Sequence, residues 1–340
     1  MLKHATTKEL KRKARKPTSD GSSRGIHILA PHGRFMRNAI AMVICLLASV
    51  TVVIPPAEAL PANPVDNGML FGGQMAHASN ATVLNENLSE LKAVVEVYTA
   101  TWCESCVYVE HALDDVKANG LIQQYHIHST LGDPFGTPEL EQRWRDKYEP
   151  NSPPGVVFNG TVKKVGKTPT VDTHDNDHDN LVEEFSALAH QDLGLGFGST
   201  SFSWTPTNAN EGTLAWSLDL DAKHLENATL NVTAWVVEVA TDYQDGTNGQ
   251  GTYPHIVHNI QVLGHSMNGT APVSLPVAHD DDDLQVHLLY EIVPDPPEDD
   301  ASDVVSEKED SEDTPAVSML AAGLTLILAT AFSQRNRPGR

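Results

Sequence analysis

Two cysteines three residues apart, Cys103 and Cys106 in Trp102-Cys103-Glu104-Ser105-Cys106, are the residues of this chain best placed to do chemistry. The third cysteine, Cys45, sits inside an apolar run, so Cys103 and Cys106 are the one pair left to form a disulfide. They follow a short β-rich stretch, Ala93–Ala100, and open a segment whose apolar residues Val107, Val109, Ala112, Leu113 and Val116 fall at helical spacing. A thiol at a helix N-terminus faces unpaired backbone N–H groups and the positive end of the dipole, which stabilises thiolate. Thiolate is the attacking form, and a thiol three residues on can resolve the mixed disulfide. The chemistry implied is thiol–disulfide exchange, which needs no cofactor. Glu104 works against it, because a carboxylate beside Cys103 opposes ionisation.

Stepping outward from the cysteines, the expected elements are a strand at Ala93–Ala100, a helix at Ser105–Ala118 ending at Asn119-Gly120 and a strand at Ile122–Ser129. A helix at Thr137–Tyr148 has Pro138 at a favourable early position. Val156–Phe158 and Thr161–Val165 flank Asn159-Gly160 as a hairpin, and Leu181–His190 closes the segment as a short helix. After residue 195 the stretches 198–204, 212–220, 228–241, 255–264, 271–278 and 284–292 are Thr- and Val-rich with Asn, Gly and Asp turns between them. The fold class expected is an α/β domain over 91–192 followed by an all-β, sandwich-like domain over 196–293. The small, aperiodic residues 60–90 are expected to be a linker, and Gly194-Leu195-Gly196 a domain junction.

Charge is segregated along the chain. The 340 residues carry 23 Lys+Arg and 45 Asp+Glu, a formal net charge of −22. Residues 1–59 hold ten basic and three acidic residues, residues 315–340 hold three arginines and no acid, and residues 60–314 therefore carry a net −32. So acidic a body excludes sequence-independent nucleic-acid binding. The basic ends flank two apolar runs. Ala39–Ile54, preceded by basic residues and followed by Ala57-Glu58-Ala59, has the order of a secretory signal cleaved after Ala59, with an uncleaved anchor as the competing reading. Ala316–Phe332 is followed by Arg335, Arg337 and Arg340. It is expected to be a transmembrane helix over 315–333 with a cytoplasmic tail at 334–340. Between body and span, Pro294–Asp313 carries ten acids and one lysine, which makes 294–314 an extended stalk. The folded body is thereby expected on the extracytoplasmic side of a cell membrane. Six N-x-Ser/Thr sequons, at Asn80, Asn87, Asn159, Asn227, Asn231 and Asn268, all lie there as candidate glycosylation sites.

Strand, CxxC and helix in that order resemble the thioredoxin-like superfamily, over roughly residues 91–190. The second hallmark of that superfamily is a cis-proline opposite the cysteines and just before a strand. Ser152-Pro153-Pro154-Gly155-Val156-Val157-Phe158 supplies the context, with Pro154 at the matching position. Glu96, seven residues before Cys103, is similar in place to the buried acid that serves the resolving thiol. VVEVYTATWCESC, with Gly132-Asp133-Pro134-Phe135, looks most like secreted thioredoxin-like proteins of unassigned function that also carry a β-rich C-terminal part. The resemblance implies that Cys103 attacks, Cys106 resolves, Glu96 relays a proton and Pro154 holds substrate backbone. The partners would be thiols and disulfides of exported proteins and an unidentified redox partner, with the membrane contacted through the C-terminal helix.

Two other functions compete with this one. A surface binding or adhesion module with a structural Cys103–Cys106 bond would suit Glu104, the β-rich half and the acidic stalk. Copper handling is the third reading, since the histidine pairs His126/His128 and His255/His258 can bind copper or zinc and a CxxC domain could deliver copper. The carboxylate-rich loop Asp172–Asp179 lacks the glycine and final glutamate of an EF-hand and is expected to be a solvated cap of the next helix. His279 and Asp280–Asp283 are expected to be a charged turn, and no resident metal is assigned.

Overall fold

In the computed structural model, which describes residues 62–149, 152–280 and 282–296, strands dominate. They run β1 (Asn63–Pro64), β2 (Met69–His77), β3 (Thr82–Asn87) and β4 (Ala93–Thr99), then helix α1 (Glu104–Ala118) and β5 (Ile122–His128). Helix α2 (Pro138–Tyr148), β6 (Gly155–Phe158), β7 (Val162–Val165) and helix α3 (Asp177–Ala189) follow. The remainder is β8 (Ser199–Asn208), β9 (Glu211–Asp219), β10 (Ala228–Asp242), β11 (Thr252–Gly264), β12 (Asn268–Ser274) and β13 (Leu284–Pro294).

Local chemistry sets the helix limits. Cys103 is the N-cap of α1, Glu104 lies in its first turn, and Gly120 with φ 79° follows its C-cap Asn119. Thr137 caps α2 through a bond from Leu140 N–H, and Pro138 sits in the first turn, where its missing N–H costs nothing. Asn176 caps α3 by accepting from Asp179 N–H at 2.9 Å, and Asn180 Oδ1 receives the N–H groups of Thr173 and His174. The Asp172–Asp179 loop thus works as a helix cap.

The strands form a nine-stranded sheet in the order β1-β7-β6-β4-β5-β11-β10-β13-β2 and a four-stranded sheet in the order β12-β9-β8-β3. This overturns the expected pair of separate domains. Strands β4 and β5 are continuous with β10, β11 and β13, through a parallel junction of β5 and β11 at His126 and Ile256. One apolar cluster crosses the junction. Tyr98, Tyr125, Leu140, Trp144 and Tyr148 from the first half pack with Trp235, Val237, Val257 and Leu289 from the second. Tyr98 stacks on Trp144 at 5.2 Å, and Tyr125 meets Trp235 edge-on at 5.0 Å. Burying Trp144 and Trp235 removes roughly 150–250 Å² each from water, roughly 4–6 kcal/mol of transfer free energy apiece. On the other face of the second half, Phe71, Phe202, Trp204, Trp216, Val236 and Tyr290 join the two sheets.

The reason for the correction lies in β10. Nine of its fifteen residues are buried, seven of them consecutively from Val232 to Glu238, so both of its faces are covered. A strand covered on both sides belongs inside a large sheet. The expected linker is corrected as well, since β2 pairs with β13 and β3 with β8. Its glycines hide β2 in the sequence. Gly72 and Gly73 have φ 117° and 96°, and a Cβ on Gly72 would lie 2.7 Å from Leu288 O, at the register shift between Leu288 and Leu289.

Among the described residues, no helix is long and apolar enough to cross a membrane. The apolar runs at 39–54 and 316–332, the Ala59 cleavage site, the tail at 334–340 and the stalk from residue 297 onward lie outside the described residues.

Candidate active site

Cys103 and Cys106 are joined by a disulfide. Cys103 Sγ accepts a hydrogen bond from Cys106 N–H at 3.2 Å, the geometry of a side-chain N-cap. Both sulfurs are enclosed, with Cys103 4% exposed and Cys106 0%, while Trp102 beside them is 38% exposed. The Pro153–Pro154 bond is cis. Pro154 is buried and directly precedes β6, whose Gly155 pairs with Tyr98 near the end of β4. Cysteines and proline therefore leave neighbouring strands at the same end of the sheet.

Asp133 braces the chain entering Cys103. Its Oδ2 accepts from Thr101 N–H at 2.7 Å and contacts His128 Nδ1 at 2.9 Å, and its Oδ1 accepts from Phe135 N–H at 3.0 Å. Burial alone would raise the Asp133 carboxyl, but His128 and the two backbone donors hold it below the ordinary carboxylate value. On the opposite side of Thr101, the β10–β11 loop closes down. The N–H groups of Thr247 and Asn248 donate to Thr101 O at 2.9 and 3.2 Å, and Asn248 Nδ2 reaches Ala100 O at 3.4 Å. Gly246 permits this approach, because a Cβ there would lie 1.9 Å from the Tyr253 hydroxyl.

The expected proton relay is placed elsewhere. Val95 and Val97 face α1, whereas Glu96 faces α2, where Arg143 and Tyr148 both donate to its carboxylate. Burial raises its pKa, but Arg143 and Lys147 outweigh that and hold Glu96 below the ordinary value. The sheet thus separates Glu96 from the disulfide. A further buried carboxylate, on α1 itself, is Glu110, one helical turn beyond Cys106. It accepts from Thr99 Oγ1 at 2.5 Å and from Gln250 Nε2 at 3.1 Å. The spacing of four between Cys106 and Glu110 was the sequence signal for it.

The histidine pairs do not act as pairs. His126 lies 5.6 Å from the His255 ring, and His255 in turn contacts Lys117 Nζ, while His128 is engaged by Asp133. His258 contacts Glu238 and stacks on His279. Of the sequons, Asn159 is buried with φ 50°, and its Oδ1 accepts from Val94 N–H at 2.8 Å. Asn80, Asn87, Asn227 and Asn268 are exposed, and Asn231 is half-buried.

No family model matches the sequence, and no curated protein matches it. Among solved structures, the chain is similar to HBP35 of Porphyromonas gingivalis, with a TM-score of 0.43 and 14% identity over 68% of this chain and 82% of that one. It is also similar to a protein from Agrobacterium tumefaciens, with a TM-score of 0.35 and 18% identity over 54% of this chain and 78% of that one. Likenesses this slight carry no argument about activity.

Proposed function

We propose that the protein is a membrane-attached, extracytoplasmic thiol–disulfide oxidoreductase of the thioredoxin-like kind, acting on exported proteins. The carrying observation is Cys103 at the N-cap of α1 with its sulfur accepting from the Cys106 N–H. In the reduced protein the same N–H and the helix dipole would favour a Cys103 thiolate. That thiolate attacks a substrate disulfide, forming a mixed disulfide and releasing one substrate thiolate. Cys106 loses its proton, with Glu110 the nearest buried acceptor along the helix, and attacks Cys103 sulfur to release the second. The substrate leaves reduced and the Cys103–Cys106 disulfide is re-formed, so turnover requires a partner dithiol. The flanking basic residues and apolar runs of the sequence support the extracytoplasmic site.

Replacing Cys106 by serine removes the resolving thiol. The Cys106→Ser chain is expected to accumulate mixed disulfides through Cys103 in cells, and the unmodified chain to reduce insulin in vitro. Finding neither would sink the proposal.

The burial of both sulfurs favours a second reading, in which the disulfide is structural and the chain is a binding module. The reduction potential separates the two. A value below roughly −300 mV supports a structural bond, and a higher value supports exchange chemistry.

A further inference from the structure

Away from the cysteines, two groups of side chains share the buried Glu238. Glu238 lies on β10, flanked in register by Ile256 of β11 and Leu284 of β13. His258 comes from β11, and His279, Asp280 and Asp283 come from the connection between β12 and β13. The ligand atoms of Glu238, His258 and His279 all lie within 4.8 Å of one another, as do those of Glu238, Asp280 and Asp283. His258 Nε2 is 2.5 Å from Glu238 Oε2, and the His258 and His279 rings stack with centroids 4.6 Å apart.

Glu238 is fully buried, and its one salt-bridge partner among the described residues is the His258 imidazole. Backbone N–H groups of His279 and Asp280 complete its bonds. Asp283 stands in the second group, with Glu238 and Asp280. Its Oδ2 accepts from Ala240 N–H at 3.0 Å, but its Oδ1 is buried with no hydrogen-bond partner. A buried carboxylate oxygen left without a donor costs free energy unless something positive meets it.

We propose that Glu238, His258 and His279 bind a divalent first-row transition-metal ion, zinc being the best match, with the fourth position of a tetrahedral ion left to water. Two imidazoles and a carboxylate are a donor set that zinc accepts, whereas calcium and magnesium prefer oxygen alone. The ion would pin the β12–β13 connection onto the β10–β11 hairpin. That same connection reaches the cysteine end of the sheet, since the His279 ring lies 4.8 Å from the ring of Phe135.

Full-length protein without a histidine tag, kept oxidised so that no thiolate can ligate, is stripped with chelator and titrated with Zn²⁺ by calorimetry and with Co²⁺ by absorption. One equivalent of Zn²⁺ per chain is expected, and cobalt d–d bands without the sulfur charge-transfer bands. His279→Ala alters an exposed residue outside the strands, so the fold should survive it. Loss of a mere outer-shell partner weakens metal binding by about 10–100-fold, so this variant should lose at least that factor. Zn²⁺ should also raise the melting temperature of the natural chain and leave that of His279→Ala unmoved. Zero stoichiometry, or Zn²⁺ binding unchanged in both His279→Ala and Glu238→Gln, overturns the proposal.

Discussion

Asp133 offers the sharpest test of how the cysteine end is held. Replacing it with alanine removes one acceptor from three donors, the N–H of Thr101, the N–H of Phe135 and the ring of His128. The Asp133 side chain is 0% exposed and that of His128 is 1% exposed, so water does not easily replace it. Each orphaned buried donor costs about 1–3 kcal/mol. Allowing for relaxation, Asp133→Ala is expected to destabilise the oxidised protein by roughly 3–5 kcal/mol, a large part of the roughly 5–15 kcal/mol of a typical domain. Asp133→Asn retains one carbonyl oxygen and should cost roughly 1–2 kcal/mol, which provides a measurable variant if the alanine form fails to fold. Urea denaturation at pH 7 gives both values. The sign of the pH dependence follows from the lowered pKa of Asp133. Its contribution is present above the unfolded carboxylate pKa of about 4 and is lost as pH falls through the folded value, so the cost of Asp133→Ala should shrink on acidification. A cost below about 1 kcal/mol at pH 7, for both variants, would refute the view that this carboxylate braces the cysteine segment.

Asn248→Ala removes the bond to Ala100 O together with the acceptor for Tyr253 OH at 2.8 Å, loosening the loop that ties down the chain entering Cys103. Reduction of Cys103–Cys106 by dithiothreitol should accelerate about 5–30-fold, the factor for roughly 1–2 kcal/mol, and an unchanged rate would show that the loop does not limit access. Burial pushes His126 and His287 down to about 3 and His255 down to about 2. These groups stay neutral in the fold while the unfolded chain protonates below about pH 6.5, so stability should fall between pH 6.5 and 3. At most three extra protons give about 4 kcal/mol per pH unit, and His126→Phe should flatten the urea-derived slope by one proton; an unaltered slope would exclude His126.

Much of the local structure was legible in the sequence, because helices are written in nearby residues. Cys103, Thr137 and the Asp172–Asp179 loop announce their caps, and the apolar spacing from Val109 to Val116 announces the buried face of α1. Strand pairing is different. Whether β11 runs beside β5 or beside another β-rich strand depends on contacts across more than a hundred residues, and alternation carries no partner label. Glu96 illustrates the same limit at the site. Its distance from Cys103 matched an expected role, yet a period of two sends it to the α2 face while Val95 and Val97 take the α1 face. Glu238 went unnoticed because its neighbours in the site lie 20 to 45 residues away and meet it only through the register of β10.

The strand order leaves four outer strands, β1, β2, β12 and β3, whose unpaired backbone groups could template ribbon pairing between molecules. Three of them are blunted. The two-residue β1 contains Pro64, β12 contains Pro272, and β2 is kinked by its bulge at Gly72. A net charge of −32 over residues 60–314 adds mutual repulsion between copies. Two prolines, a bulge and a surplus of acid thus work against edge-to-edge pairing at three of the four outer strands among the described residues.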